Sequence, residues 1–170
     1  MSRSMTAPIL PVLLAAPLLL SGPCHAADSA MSTQNVAVAV VDFNYRDTSG
    51  EERDQRQEHE ARLREFMTAL RGHLAARGKV IVSAKCDPAP CSVDRPAAEL
   101  LRAAREAGAG VVLVGTVQKF STLIQNAKVE VIDTGTERIV LDKVFTFRGD
   151  NDESWRRAEN FIADEFASLP

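Results

Sequence analysis

The sequence contains few of the residues that most often carry catalysis or bind metal ions. It has three histidines and three cysteines in 170 residues, and it has neither a Gly-Lys-Ser phosphate loop nor a Gly-x-Ser-x-Gly nucleophile turn. His59 and His73 lie on one predicted helix, fourteen positions apart, whereas histidines that share a metal ion on a helix are about three or four residues apart. We therefore predict solvent-facing or boundary histidines, no metal, no cofactor and no enzyme activity.

Clusters of positive charge are also absent from the sequence. The formal net charge is −3 at pH 7, with 20 Lys and Arg against 23 Asp and Glu. Nucleic acids are bound through clustered basic faces, because each phosphate carries a negative charge. The sequence therefore predicts no nucleic-acid partner.

The longest apolar stretch lies near the amino terminus, from Ile9 to Leu20, and follows the positive charge of Arg3. Prolines interrupt it, and it is shorter than the roughly 20 apolar residues of a membrane-spanning helix. The pattern is typical of a secretory signal peptide, and small residues favour cleavage after Ala26 or Ala27. We predict export to a Gram-negative periplasm without a transmembrane span, with residues 1–26 as the leader and 27–35 as a flexible lead-in.

Cys24 introduces a lipoprotein as the alternative. It ends the segment Leu-Ser-Gly-Pro-Cys at residues 20–24. A small residue normally precedes a lipid-modified cysteine, and Pro23 fits that position poorly. A lipid anchor is therefore the less favoured interpretation.

Two cysteines, Cys86 and Cys91, remain in the exported chain. Four residues separate them, and two of these are proline. This spacing differs from the two-residue spacing of thioredoxin-like motifs and zinc knuckles. Because thiols oxidise in the periplasm, we predict a structural disulfide, with redox chemistry and metal binding as the alternatives.

From Val36 onward, the sequence alternates between strand and helix patterns. Runs of β-branched and apolar residues indicate strands, and apolar residues three or four positions apart indicate helices. A polar turn at residues 133–136 joins the last two strands as a hairpin. The predicted strands cover residues 36–43, 79–83, 111–117, 123–133 and 137–148; the predicted helices cover about 51–77, 97–107 and the segment from 151 or 152 onward.

This order, β-α-β-α-β-β-β-α, predicts a mixed α/β fold in one domain at residues 36–170. The first two strands are joined through a helix and should therefore run parallel. Two strands are apolar throughout, which requires cover on both faces of the sheet. We predict a five-stranded mixed sheet with helices on both faces.

Two motifs resemble a secreted proteobacterial family, the domain-of-unknown-function family 3280. They are Val-Gln-Lys-Phe-Ser-Thr-Leu-Ile-Gln-Asn at residues 117–126 and Arg-Gly-Asp-Asn-Asp-Glu-Ser-Trp-Arg-Arg at residues 148–157. The second family motif reads Arg-Gly-Asn-Thr-Asp-Glu-Ser-Trp-Arg-Arg, so this chain departs at Asp150 and Asn151. The departure puts in doubt any role that needs an uncharged amide at residue 150. The resemblance implies a periplasmic protein of unassigned function, without established catalytic residues.

A broader resemblance runs from Val36 to about Asp142. The segments Val-Ala-Val-Val-Asp-Phe at residues 38–43 and Val-Leu-Val-Gly-Thr-Val at residues 112–117 are similar to the periplasmic α/β domain of the curli-secretion lipoprotein. Similar patterns occur in the amino-terminal domain of the Tol-system propeller protein and in outer-membrane activators of penicillin-binding proteins. These proteins share a fold and a compartment rather than an activity.

Polar residues concentrate where predicted strands end. Asp42 follows the first strand, at the edge where ligands of open α/β sheets bind, although a carboxylate there can equally cap a turn. Two further groups lie where the central strand enters the hairpin and where the last strand enters the last helix. They are Gln118, Lys119, Ser121 and Asn126, and Arg148, Asp152, Glu153, Trp155 and Arg156.

The second of these groups has two interpretations. A pair between Arg148 and Asp152 or Glu153, with Trp155 packed on the sheet, would make a structural clasp around the amino end of the last helix. The alternative is a surface that binds a partner or an anion.

Three functions remain open at this point. The first is a non-enzymatic interaction module that binds another cell-envelope protein through the hairpin edge or the last helix. The second is a small-ligand (anion or polar ligand) binder that uses Asp42, Lys119 and Arg148, and the third is an uncharacterised enzyme. An exposed apolar patch at the hairpin edge would favour the first, and a pocket with convergent charges would favour the second.

Overall fold

The structure is a computed structural model and describes residues 36–169. The predicted leader, lead-in, cleavage site and Cys24 lie outside the described residues. The strands are β1 (Val38–Val40), β2 (Asn44–Asp47), β3 (Ile81–Val82), β4 (Val111–Lys119), β5 (Ile124–Asp133) and β6 (Ile139–Arg148), and the helices are α1 (Arg56–Ala76), α2 (Ala97–Glu106) and α3 (Asp152–Ala167).

The sheet is mixed, with the order β3-β1-β4-β5-β6 and with β2 also paired to β4. Strands β1 and β3 are parallel neighbours, as the crossover through α1 requires. Strands β4, β5 and β6 are antiparallel neighbours. The predicted α/β class is confirmed, and the elements follow the predicted order apart from the additional strand β2.

Residues 36–169 form six strands rather than the predicted five, because the additional strand β2 follows the first predicted strand, in a segment whose polar residues suggested a turn. Val40 pairs with Leu113 and Asn44 pairs with Thr116, so three residues of the first strand face two of β4. This is the geometry of a β-bulge. The bulge also places Phe43 over Gly115, where a Cβ atom would lie 2.5 Å from the phenyl ring.

At the bulge, the backbone of Asp42 does not pair with β4. It pairs instead with residues 91–93, which follow the loop closed by Cys86 and Cys91. Its N–H donates to the Cys91 carbonyl at 2.9 Å, and its carbonyl accepts from the Val93 N–H at 3.1 Å. Cys86 and Cys91 are joined by a disulfide. Closing so short a loop stabilises the fold by about 2 kcal/mol and shapes the segment that meets Asp42.

Helices cover both faces of the sheet, as predicted. Helices α1 and α3 pack on one face, where Leu70 and Ile162 are fully buried. Helix α2 packs on the opposite face, through Leu100 and Leu101 against Val112. Within residues 36–169, none of the helices is both long enough and apolar enough to cross a membrane.

Helix α1 begins at Arg56, later than the predicted start near Glu51. The side chains of Glu51 and Gln55 both bind Lys119 at the end of β4. These contacts with a residue more than 60 positions away in the sequence therefore hold residues 51–55 outside the helix. Helix α3 begins as predicted, because the Asn151 side chain accepts a hydrogen bond from the Ser154 N–H at 2.9 Å.

Candidate functional site

The end of β4 leads into a buried charged cluster. The Lys119 side chain is fully buried, and its Nζ donates to Asp150 Oδ2 at 2.7 Å, to Gln55 Oε1 at 2.7 Å and to Glu51 Oε2 at 3.0 Å. A buried ammonium group needs such partners, because removal from water is costly. We call the following set the Asp150 cluster: Glu51, Gln55, His59, Arg62, Lys119, Gln125 and Asp150.

Asp150 is the centre of this cluster. His59 Nε2 lies 2.8 Å from Asp150 Oδ2, and Arg62 donates to Oδ1 at 3.0 Å. Gln125 donates to the same Oδ1 atom at 3.3 Å. Burial alone would raise the pKa of the Asp150 carboxyl, but the hydrogen bonds from Lys119 and His59 outweigh burial and lower that pKa. The aspartate is therefore ionised in the folded protein.

The prediction of solvent-facing or boundary histidines is wrong for His59. Its side chain is buried, and its ring stacks on Tyr45 with 4.4 Å between centroids. One signal in the sequence could have found it, since His59 lies seven and eleven residues before Phe66 and Leu70, on the apolar stripe of α1. His73 is half-buried and contacts Glu159 at 2.8 Å.

Glu159 is a second buried carboxylate that the sequence reasoning missed. It lies on the face of α3 that meets α1. Burial raises the pKa of its carboxyl, and the hydrogen bond with His73 offsets only part of that effect. Nearby, Arg77, which directly follows α1, pairs with Asp164 of α3. These pairs tie the two helices together beside the apolar core.

Trp155 lies in the core, between α3, α1 and the sheet. It is 2% exposed, and its ring meets Phe66 and Phe147 edge-on at centroid distances of 6.0 and 6.1 Å. Tyr45 packs beside it at 5.8 Å. The indole therefore fixes the amino-terminal half of α3 on the sheet.

The predicted pairing of Arg148 with Asp152 or Glu153 is not formed. Alternation along β6 turns Arg148 toward the face opposite α1 and α3, as it does for the exposed Val144 and Thr146. Arg62 pairs with Asp152 at 2.8 Å. Glu153 instead pairs with Arg156 in the first turns of α3.

The charges proposed for a small ligand do not converge. Asp42 pairs with Arg71 of α1, Lys119 is enclosed in the Asp150 cluster, and Arg148 lies on the other face of the sheet. Gln118 donates to Thr48 at 3.2 Å, and Asn126 lies half-buried on β5. Across residues 36–169, no three or more His, Cys, Asp or Glu side chains are placed to hold a metal ion.

Strand β6 forms an open edge of the sheet. It is ten residues long, and no strand of the described chain pairs with its outer side. The Gly149 N–H donates to the Leu123 carbonyl of the neighbouring segment at 2.9 Å. Because hydrogen-bonded pairs alternate with non-hydrogen-bonded pairs along antiparallel strands, the odd-numbered residues of β6 direct their N–H and C=O groups toward β5. The N–H and C=O groups of Asp142, Val144 and Thr146 therefore point outward.

Exposed apolar side chains accompany this edge. We define the edge surface as Ile139, Val140 and Val144 of β6 with Phe161 of α3; each is 51–56% exposed. Phe161 stands edge-on to Phe145 with 5.7 Å between ring centroids. A groove runs between β6 and α3 beside these rings. Exposed apolar side chains beside an unpaired strand are typical of a protein-binding surface.

A family model described as a protein of unknown function, DUF3280, matches residues 36–166. This match covers most of the chain and includes both motifs on which the resemblance was based. The resemblance to that family is therefore confirmed. A comparison with curated protein sequences finds no match.

Several solved structures are similar to the chain at low sequence identity. The PelC dodecamer from Paraburkholderia phytofirmans is 19% identical, with 79% of this chain and 87% of that chain covered and a TM-score of 0.50. The LpoB C-terminal domain from Salmonella enterica is 16% identical, with coverages of 69% and 85% and a TM-score of 0.49. TolB from Acinetobacter baumannii is 13% identical, with coverages of 78% and 27% and a TM-score of 0.46. At these identities, the likeness concerns the fold alone.

Proposed function

The chain belongs to the DUF3280 family of proteins of unknown function, and on the geometry of β6 we propose that it is a non-enzymatic accessory protein of the cell envelope that binds another polypeptide. The observation that carries this proposal is the open edge of β6 beside exposed apolar side chains. A polypeptide that adds a strand to such an edge gains main-chain hydrogen bonds, and the side chains beside the edge supply selectivity.

The placement of the charged residues supports binding through protein contact rather than through a small-ligand site. Lys119 and Asp150 form an ion pair with each other inside the fold, so their charges are not available to bind a substrate. Asp42 is engaged by Arg71. The edge surface, in contrast, combines open backbone groups with apolar area, and both are features that a protein partner uses.

The compartment is part of the same proposal. The apolar stretch behind Arg3 is typical of a leader, and the Cys86–Cys91 disulfide suits an oxidising compartment. We expect the native protein in the periplasmic fraction, without residues 1–26 and with both of these cysteines oxidised. Intact-mass analysis before and after thiol alkylation measures this. A cytosolic protein that retains Met1 and two free thiols would contradict the compartment.

Photo-crosslinking in the native host tests the binding surface. A photoreactive residue at Val144 should give a discrete protein adduct, because this position lies at the centre of the open edge. Val80 provides a matched control, since the two valines are 53% and 54% exposed and Val80 lies outside the edge surface. An absence of adducts at Val144, or equal adducts at both positions, would overturn the proposed function.

A further inference from the structure

We propose that the polypeptide bound at the edge surface is a second copy of this chain, joined by antiparallel pairing of the two β6 strands about a twofold axis at Phe145. This inference rests on the proposed function and names its partner. The pairing would extend the sheet from one copy into the other and would satisfy the outward backbone groups of both edges.

The backbone geometry permits this axis. The backbone groups of Phe145 point toward β5, whereas those of Val144 and Thr146 point outward. With the axis at Phe145, Val144 of each copy lies opposite Thr146 of the other, and the two residues exchange hydrogen bonds. The Phe145 residues of the two copies then face each other as a non-hydrogen-bonded pair. An antiparallel ladder has such a pair at every second position.

In this register, Asp142 and Arg148 on the β6 strand of one copy lie opposite residues of opposite charge on the β6 strand of the other. With the axis at Phe145, Asp142 of each copy lies opposite Arg148 of the other, so that two opposite-charge pairs form on one face. Both side chains are exposed. Arg148 has no ion pair within residues 36–169, and the Lys128 ammonium is 3.8 Å from the Asp142 carboxylate. Opposite charges that face each other across strands stabilise the pairing.

Neighbouring registers lack this complementarity. An axis at Lys143 would place two lysines opposite each other, and like charges in that position are destabilising. An axis at Val144 would place Asp142 opposite Thr146, and an axis at Thr146 would place Val144 opposite Arg148. Among these positions, Phe145 is the one at which Asp142 and Arg148 both lie opposite a residue of opposite charge.

The side chains that commonly block an open edge do not block this one. Edge strands are often protected by a lysine directed outward. Here Lys143 extends toward α3 and pairs with Glu165. Phe161 packs against Phe145 next to the axis, so the pairing would bring the two exposed Phe161 rings together on the face that carries α1 and α3 and remove their apolar surface from water.

Charge reversal tests the pairing in the purified full-length exported protein by sedimentation velocity. We expect the wild-type protein to be a dimer at about 100 µM. Asp142→Arg and Arg148→Asp should each weaken the dimer by at least about tenfold, because each substitution turns two opposite-charge pairs into two like-charge pairs. An equimolar mixture of the two variants should dimerise again, since every arginine then faces an aspartate.

Arg64→Asp is the matched control. It changes the net charge as Arg148→Asp does, from an exposed site on α1, and should leave the dimer unchanged. Circular dichroism of each variant verifies that the fold is retained. A dimer that resists both edge variants, or a mixture that stays monomeric, would overturn the proposed pairing.

The outcomes separate this inference from the proposed function. A monomeric wild-type protein at about 100 µM, together with an adduct between Val144 and a different protein, overturns the second copy and supports the proposed function. An adduct of twice the chain mass at Val144 supports both. If Val144 gives no adduct, the proposed function fails and the inference fails with it.

Discussion

Replacing Trp155 with alanine is expected to lower the free energy of unfolding by about 4 kcal/mol. The indole is 2% exposed, and it contacts rings from α1, β2 and β6 at centroid distances of 5.8–6.1 Å. Its removal would leave a cavity that these rings, held by separate elements, can fill only in part. Urea unfolding followed by circular dichroism measures the change.

Arg156→Ala is the control for that experiment. Arg156 is the next residue on α3, its side chain is 62% exposed, and it pairs with Glu153 at the surface. An exposed pair of this kind contributes less than about 1 kcal/mol. Trp155→Ala with a similarly small effect would contradict the assignment of Trp155 to the core and would restore the surface interpretation of this motif.

Replacing Asp150 with asparagine is expected to destabilise the fold by about 3 kcal/mol. The substitution keeps the size of the side chain but removes its negative charge, so Glu51 is the one charged partner within residues 36–169 that the buried Lys119 ammonium retains. An uncompensated charge inside a protein is costly, because no water replaces the lost partner. Asp152→Asn is the matched control, since the Asp152 side chain is 81% exposed and its loss should cost less than about 1 kcal/mol.

A double variant separates the loss of the ion pair between Lys119 and Asp150 from the effect of each substitution on packing. Lys119→Met removes the buried positive charge, and in combination with Asp150→Asn it leaves neither of the two charges. We expect the double variant to be more stable than the sum of the single effects predicts, because the two residues interact directly at 2.7 Å. Additive effects would contradict a direct coupling between Lys119 and Asp150.

The effect of Asp150→Asn should also depend on pH. The pKa of Asp150 is lower in the folded protein than its ordinary value of 3.8, so the unfolded chain takes up a proton first as the solution is acidified. The stability that Asp150 contributes is therefore present above its unfolded pKa and is lost as the pH falls through the folded pKa. The difference in unfolding free energy between the wild-type protein and Asp150→Asn should begin to shrink below about pH 5 and should shrink further as the pH falls toward the folded pKa. A difference that grows on acidification would contradict this linkage.

The structure shows what residue 150 contacts, at the position where this chain departs from the family motif. The family motif has an asparagine where this chain has Asp150, and the sequence alone raised doubt about any role that needs an uncharged amide there. The structure assigns the carboxylate to the centre of a charged cluster, where it accepts hydrogen bonds from Lys119 and Arg62. In this chain, the position therefore depends on charge rather than on an amide.

Local patterns were sufficient for the elements other than β2 and for their order. Apolar residues three or four positions apart predict α1, because a helix buries one face whatever it packs against. In the same way, Asn151 as a helix cap depends on its own turn, where it meets Ser154. The bulge at Asp42 was missed, since it depends on the cysteine loop and on the ring of Phe43 over Gly115, and neither is visible within one strand.

By itself, the sequence determined the α/β class, the succession of strands and helices, and the family, because these follow from residue periodicity and from short motifs. Only the tertiary structure decided which polar residues meet. Asp150 lies 91 positions from His59 and 31 from Lys119, and an ion pair between distant residues leaves no periodic pattern in the chain. The open edge of β6 was likewise settled by strand order, because a strand has a free side only when the completed sheet places no neighbour there.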